Sequence, residues 1–113
     1  MNVKSKRDKV LTAQVVSETL ERLPSISRIL VAARYLDGYE EDEMCNLFEM
    51  SEDEVYGELH RARAYIRSQC LDYQNRNKCQ LKALDENIFK EAFELLLKQY
   101  KIRRKQYEKE QFI

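Results

Sequence analysis

The chain has 113 residues, enough for one domain, and its formal net charge of zero points to neither a nucleic-acid nor a membrane partner. It holds only two glycines and one proline, too few turn residues for a fold built from β-hairpins. With 43% hydrophobic and 35% charged residues, the composition favours a small all-α protein with a modest core and charged outer faces.

Two helices are predicted on either side of Pro24. The first covers residues 8–22, and its apolar face consists of Val10, Leu11, Val15, Leu20 and Leu23. Pro24 should end it, because a proline disfavours helical geometry in the residue before it. Ser25 is the predicted N-cap of the second helix, which we expect to end at Gly38 in a left-handed conformation. The apolar positions of this helix are Ile26, Ile29, Leu30, Ala33 and Leu36.

A short third helix and a longer fourth helix follow. The third covers residues 40–48, with carboxylates in its first turn and an apolar face of Met44, Leu47 and Phe48. Ser51 and Glu54 have the spacing of a capping box, so they predict the start of the fourth helix. The buried stripe of that helix is expected at Val55, Leu59, Ala62 and Ile66.

A last, long helix is predicted after a polar connector at residues 74–80. Asp85 or Asn87 can begin this helix, which should run towards residue 110. One side of its first half is broadly apolar, through Ile88, Phe89, Ala92, Phe93, Leu95, Leu96, Gln99 and Tyr100. The predicted fold is an all-α bundle of about five helices, with one domain at residues 1–73 and a connector and C-terminal helical extension at residues 74–113.

Charge is unevenly distributed along this neutral chain. Residues 37–58 contain ten acidic residues and no lysine or arginine, whereas residues 98–109 contain six basic residues and one acidic residue. Most such runs are solvated faces. An alternative stays open, in which the acidic surface avoids DNA or binds a basic partner, and the basic tail contacts nucleic acid or a partner. The candidate tail contacts are Lys101, Arg103, Arg104 and Lys105.

A recognisable pattern covers residues 23–68, LPSISRILVAARYLDGYEEDEMCNLFEMSEDEVYGELHRARAYIRS. Leu23 and Pro24 open it, Ser51 starts its last helix, and LHRAR at residues 59–63 lies near its end. The pattern resembles region 4 of the sigma-70 family of bacterial transcription initiation factors, especially the extracytoplasmic-function type. The resemblance implies a helix-turn-helix whose second helix lies in the major groove of promoter DNA. It also implies a surface that docks on the flap of the RNA polymerase β subunit.

Two departures from the family are informative. The 22 residues before Leu23 leave no room for region 2, which binds core polymerase in the family, so we do not expect a complete conventional sigma factor. A recognition helix enters the groove by its N-terminal residues and relies on Lys and Arg for phosphate contacts. Here the positions after the helix cap are Asp53, Glu54, Tyr56, Gly57 and Glu58. Their carboxylates should weaken DNA binding, because like charges at an interface repel.

Residues 51–68 are the predicted contact element. The candidate residues are Ser51, Glu52, Glu54, Tyr56, Glu58, His60, Arg61, Arg63 and Arg67. In the leading hypothesis, a small transcription regulator contacts promoter DNA, RNA polymerase or both, with the arginines on phosphates and with Tyr56 and Glu58 on bases. The alternative is a protein-interaction module that binds RNA polymerase or a sigma-related protein, or forms a homodimer through the C-terminal helix.

No enzymatic site is predicted. His60 is the only histidine, and the three cysteines lack CxxC spacing, so we expect no catalytic triad, metal site or cofactor. The odd number of cysteines favours reduced thiols over a disulfide framework. We find neither a signal peptide nor an apolar run of membrane-spanning length in the sequence. These features predict a cytoplasmic protein without a membrane partner.

Overall fold

The computed structural model describes the backbone of residues 3–111 and the side chains of residues 6–99. Within these residues the chain forms five helices and no strand: α1 (Val3–Arg22), α2 (Ser25–Tyr35), α3 (Glu41–Phe48), α4 (Glu52–Asn77) and α5 (Glu86–Gln111). The predicted all-α bundle of about five helices, with a long C-terminal helix, is therefore confirmed. Among the described helices, none is both long enough and apolar enough to cross a membrane.

Side-chain caps explain where two of the helices begin. The Ser51 hydroxyl accepts a hydrogen bond from the Glu54 N–H at 3.2 Å, and the Glu54 carboxylate accepts one from the Ser51 N–H at 3.4 Å. This is the predicted capping box of α4. The Asp85 carboxylate accepts a hydrogen bond from the Ile88 N–H at 2.8 Å, so Asp85 is the start signal of α5.

Several predicted helix boundaries are wrong, and α1 begins at Val3, five residues before the predicted start at residue 8. Ser25 is the first helical residue of α2, and Pro24 occupies the N-cap position, where its fixed φ suits the entry into a helix. Residues 74–77, predicted as connector, form the last turn of α4, which ends where Lys78 adopts a left-handed conformation at φ 49°. The connector is therefore residues 78–85. The predicted domain division after residue 73 falls inside α4 and stays a prediction.

The core confirms the predicted stripe of α4, because Val55, Leu59, Ala62 and Ile66 are all buried. The predicted faces of α1 and α2 are partly wrong. Val10, Ile26 and Ile29 are 46%, 45% and 50% exposed, while other positions of the same helices turn inward. The buried positions that the sequence analysis missed are Thr12, Ala13, Val16, Ser17, Thr19, Ser27 and Val31.

Buried hydroxyl residues explain part of this error. The Thr19 hydroxyl donates to the Val15 carbonyl oxygen at 2.9 Å, so it is satisfied within its own helix and can be buried at little cost. The Ser17 hydroxyl does the same with the Gln14 carbonyl oxygen at 2.8 Å. A face identified from apolar residues alone therefore misses these positions.

α5 and the connector close over the bundle. α1 packs against both α5 and α4, while α2 and α3 pack against α4. The rings of Tyr35 and Phe89 stack with centroids 4.3 Å apart, which joins α2 to α5. The Thr12 hydroxyl accepts a hydrogen bond from the Lys82 N–H at 2.9 Å, and the Gln74 side chain accepts one from the Leu81 N–H at 2.7 Å. These two bonds hold the connector against α1 and α4.

We expect Met44→Ala to lower the free energy of unfolding by about 2–5 kcal/mol, because Met44 is fully buried and anchors the short helix α3. The matched control is Leu47→Ala on the same helix, since Leu47 is 53% exposed and should change stability by less than about 0.5 kcal/mol. Urea denaturation followed by circular dichroism measures both. Equal losses in the two variants would contradict the described orientation of α3.

Candidate functional site

α3 and α4 form a helix-turn-helix with a very short turn. Glu49 ends α3 in a left-handed conformation at φ 52°, and the Met50 N–H donates to the Cys45 carbonyl oxygen at 3.0 Å. Ser51 then caps α4. Left-handed geometry is costly for a residue with a side chain, so the turn is held by the packing of the two helices and by the caps. This arrangement fixes where the first turn of α4 points.

The first turn of α4 carries three exposed carboxylates, Glu52, Asp53 and Glu54, which we call the acidic turn. Glu54 is held by the capping box, whereas Glu52 and Asp53 form no hydrogen bond among the described side chains. No described lysine or arginine lies within ion-pair distance of these three residues. The positive end of the helix dipole favours them locally, but their outward surface is uncompensated negative charge.

Glu58 differs from the acidic turn because it points towards α2. Its carboxylate accepts hydrogen bonds from the Ser27 hydroxyl at 3.1 Å and from the Arg61 guanidinium at 2.7 Å. The bonds from Arg61 and Ser27 lower the pKa of Glu58. Gly57 leaves room for the Arg61 side chain, since a Cβ atom at residue 57 would lie 3.3 Å from its guanidinium. Glu58 therefore joins α4 to α2, and its predicted contact with bases stays a prediction.

Arg63 also points inward. Its guanidinium donates to the Tyr35 hydroxyl at 2.6 Å and to the Glu41 carboxylate at 3.3 Å, and it lies 5.5 Å from the centre of the Tyr35 ring. Arg34 lies 5.6 Å from the same ring centre and 4.0 Å from the Glu41 carboxylate. We call Arg34, Tyr35, Glu41, Arg63 and Phe89 the Tyr35 cluster. It joins α2, α3, α4 and α5.

The other predicted contact residues are exposed. Tyr56 is 49% exposed, and its pKa is raised chiefly by the negative charge of Glu41 nearby. His60 and Arg67 are also exposed. Arg61 is exposed but paired with Glu58. The side chains of Lys101, Arg103, Arg104 and Lys105 lie outside the described residues, and their predicted contacts stay a prediction.

The comparison with protein families agrees with this geometry. Residues 13–66 match the family model described as Sigma-70, region 4. The chain contains a sigma-70 region 4 domain. The match covers the second half of α1, all of α2 and α3, and α4 as far as Ile66. It therefore starts earlier than the resemblance seen in the sequence, which began at Leu23. No curated protein and no solved structure was found to match the chain.

Sequence reasoning missed the Tyr35 cluster of this region 4 domain. Arg63 was predicted to bind phosphate because it is a basic residue of α4, the second helix of the helix-turn-helix. Its partners Tyr35 and Glu41 precede it by 28 and 22 residues, so no local pattern joins them. Of the three arginines predicted for DNA, only Arg67 has no carboxylate within ion-pair distance among the described side chains.

We expect Arg63→Gln to lower the free energy of unfolding by about 1–3 kcal/mol, because the Tyr35 hydroxyl and the Glu41 carboxylate both lose a charged, partly buried partner. Arg61→Gln is the control, because the Arg61 side chain is 67% exposed and its ion pair should contribute less than about 1 kcal/mol. Chemical denaturation measures both variants. A neutral Arg63→Gln would contradict a structural role for this arginine.

The lowered pKa of Glu58 predicts a pH dependence. A carboxyl group whose folded-state pKa lies below its unfolded value stabilises the fold at higher pH, and this stability is lost as the pH falls through the folded value. Wild type should therefore lose more stability than Glu58→Gln when the pH is lowered from about 7 to below about 4.3. Thermal unfolding at several pH values measures the difference. Glu94→Gln, at an exposed position of α5, should keep the wild-type pH profile.

Proposed function

We propose that this chain acts in bacterial transcription initiation as a region 4 module that binds protein through its helix-turn-helix, with RNA polymerase or a sigma-related protein as the partner. The observation that carries the proposal is the acidic turn, which presents uncompensated carboxylates where a DNA-reading helix would approach phosphate. The proposal assigns the protein no enzymatic activity and a cytoplasmic location, where RNA polymerase works.

Phosphate contact by α4 is weakly supported. Arg63 is engaged by Tyr35 and Glu41, and Arg61 is engaged by Glu58. Using either arginine on DNA would require breaking an intramolecular contact. Carboxylates facing phosphates also oppose binding, because like-charge juxtaposition can cost several kcal/mol. Promoter DNA binding by α4 stays the second candidate, favoured by the exposed side chains of Tyr56 and His60 on the same helix.

Two surfaces support a protein partner. Tyr56, which follows the acidic turn on α4, is 49% exposed, and Leu47 of α3 is 53% exposed, so the helix-turn-helix presents apolar area as well as negative charge. A cleft of about 420 Å³ lies where the α1–α2 junction meets α4, and its lining includes Leu23, Ile26 and Tyr65. Ile26 and Tyr65 are 45% and 40% exposed. Protein interfaces commonly bury such aromatic and apolar side chains. Self-association through α5 is the competing proposal.

The test is retention of a named partner after nucleic acid is removed. The tagged full chain is incubated with a nuclease-treated bacterial lysate, and RNA polymerase subunits and sigma factors are identified by mass spectrometry. We expect at least one of them to be retained. Loss of all of them on nuclease treatment would show that nucleic acid bridged the complex and would overturn the proposal.

A charge-removal variant ties the result to the acidic turn. We expect Glu52→Gln combined with Asp53→Asn to reduce partner retention several-fold, because both carboxylates are exposed and neither stabilises a neighbouring side chain. The control removes two exposed carboxylates elsewhere, by Glu18→Gln and Glu94→Gln, and should retain the partner as wild type does. Equal retention by all three proteins would exclude the acidic turn as the contact.

A further inference from the structure

A large cleft of the described structure lies away from the helix-turn-helix. It measures about 1010 Å³ and separates the beginning of α1 from the connector. Three cations, Arg7, Lys78 and Lys82, contribute to its lining, and we call this feature the basic cleft. Asp8 is the only carboxylate among the lining residues. None of the lining residues belongs to the acidic stretch at residues 37–58.

A second cleft, of about 440 Å³, adjoins the basic cleft along the connector. Its lining includes Arg67 and Lys82 and no carboxylate. Lys82 therefore belongs to both clefts. The two clefts together place four cations, Arg7, Arg67, Lys78 and Lys82, along one surface formed by α1, the end of α4 and the connector.

These four cations differ from Arg34 of α2 and from Arg61 and Arg63 of α4. Arg34, Arg61 and Arg63 each have a carboxylate within 4.0 Å. Among the described side chains, no carboxylate forms an ion pair with any cation of the two clefts. They are therefore available to an external anion without loss of an internal ion pair.

The backbone that carries the two lysines is held in place. The Lys82 N–H donates to the Thr12 hydroxyl, and Lys78 occupies the left-handed end of α4. Leu81, between them, is buried. Fixed attachment points reduce the conformational entropy lost when a ligand is bound.

We propose that this surface binds the phosphodiester backbone of nucleic acid, so that the chain contacts DNA through α1, the end of α4 and the connector. Several spaced cations suit a row of phosphates, because affinity for nucleic acid rests mainly on Lys and Arg at the backbone. No aromatic side chain lines either cleft, so contact is independent of base sequence. The choice of nucleic acid as the polyanion rests on the proposed function, which places the protein beside promoter DNA.

The test is the salt dependence of binding to a fluorescently labelled DNA duplex of arbitrary sequence, measured by anisotropy. For wild type, the logarithm of the affinity should fall linearly with the logarithm of the salt concentration, with a slope of about −0.9 per phosphate contact. We expect the triple variant Arg7→Gln, Lys78→Gln, Lys82→Gln to bind at least tenfold more weakly at low salt. Its salt slope should also be smaller in magnitude by about 2–3.

The matched control removes three cations elsewhere, by Arg22→Gln, Arg28→Gln and Lys90→Gln, and should change the affinity and slope little. Equal weakening in both triple variants would overturn the proposal, since net charge alone would then explain binding. So would undetectable binding of wild type at low salt. The proposal would also be overturned if binding were lost only in a variant with glutamine at the tail residues Lys101, Arg103, Arg104 and Lys105.

Two further measurements make the result unambiguous. Circular dichroism checks that each variant is folded, and Lys82→Gln alone, at an exposed side chain, should still reduce the slope by about 1 if the triple variant unfolds. Polyglutamate of similar charge is the competitor. If polyglutamate displaced the labelled DNA at a concentration much lower than that of unlabelled DNA, the proposal that nucleic acid is the ligand would be overturned. Partner retention in the nuclease-treated lysate is a separate readout, so either proposal can fail alone.

Discussion

The contacts of Tyr35 are the constraint on which the arrangement of the bundle depends. Its ring stacks on Phe89 of α5, and its hydroxyl accepts a short hydrogen bond from Arg63 of α4. Arg63 in turn reaches Glu41 of α3. A single aromatic side chain at the end of α2 thus touches two other helices and, through Arg63, connects to a third. Charge-assisted bonds of this kind are stronger and more directional than apolar contacts, so they define how the helices are oriented as well as how closely they pack.

That constraint has a consequence for recognition. The capping box and the buried stripe keep the helix-turn-helix shape, but the Tyr35 cluster uses an arginine of the second helix inside the protein. Arg61, although exposed, is engaged by Glu58. The acidic turn then determines the charge at the exposed beginning of α4, because no described lysine or arginine forms an ion pair with it. The protein therefore has the shape of region 4 without the positive charge that contact with phosphate needs.

How much could be predicted from the sequence depended on whether the signal was local. The cap at Ser51 and the stripe from Val55 to Ile66 are local patterns of spacing 3 and 4, and both were predicted correctly. The faces of α1 and α2 were partly missed, because Thr12, Thr19 and Ser27 are buried with their hydroxyls satisfied by hydrogen bonds. The inward orientation of Arg63 was out of reach, since its partners lie more than 20 residues away in sequence and meet it only in the folded chain.

The zero net charge of the chain hides a separation that only the fold makes visible. Arg67 and the acidic turn lie on the same helix, α4, but about 20 Å apart at 1.5 Å per residue. One end of each charged surface therefore lies on α4. Such a distance exceeds the roughly 8 Å Debye length at physiological salt, so salt largely screens Arg67 from the carboxylates of the acidic turn. Each surface can therefore attract a ligand of opposite charge independently. A protein partner at the beginning of α4 and a nucleic-acid backbone at the connector are thus compatible on one small bundle.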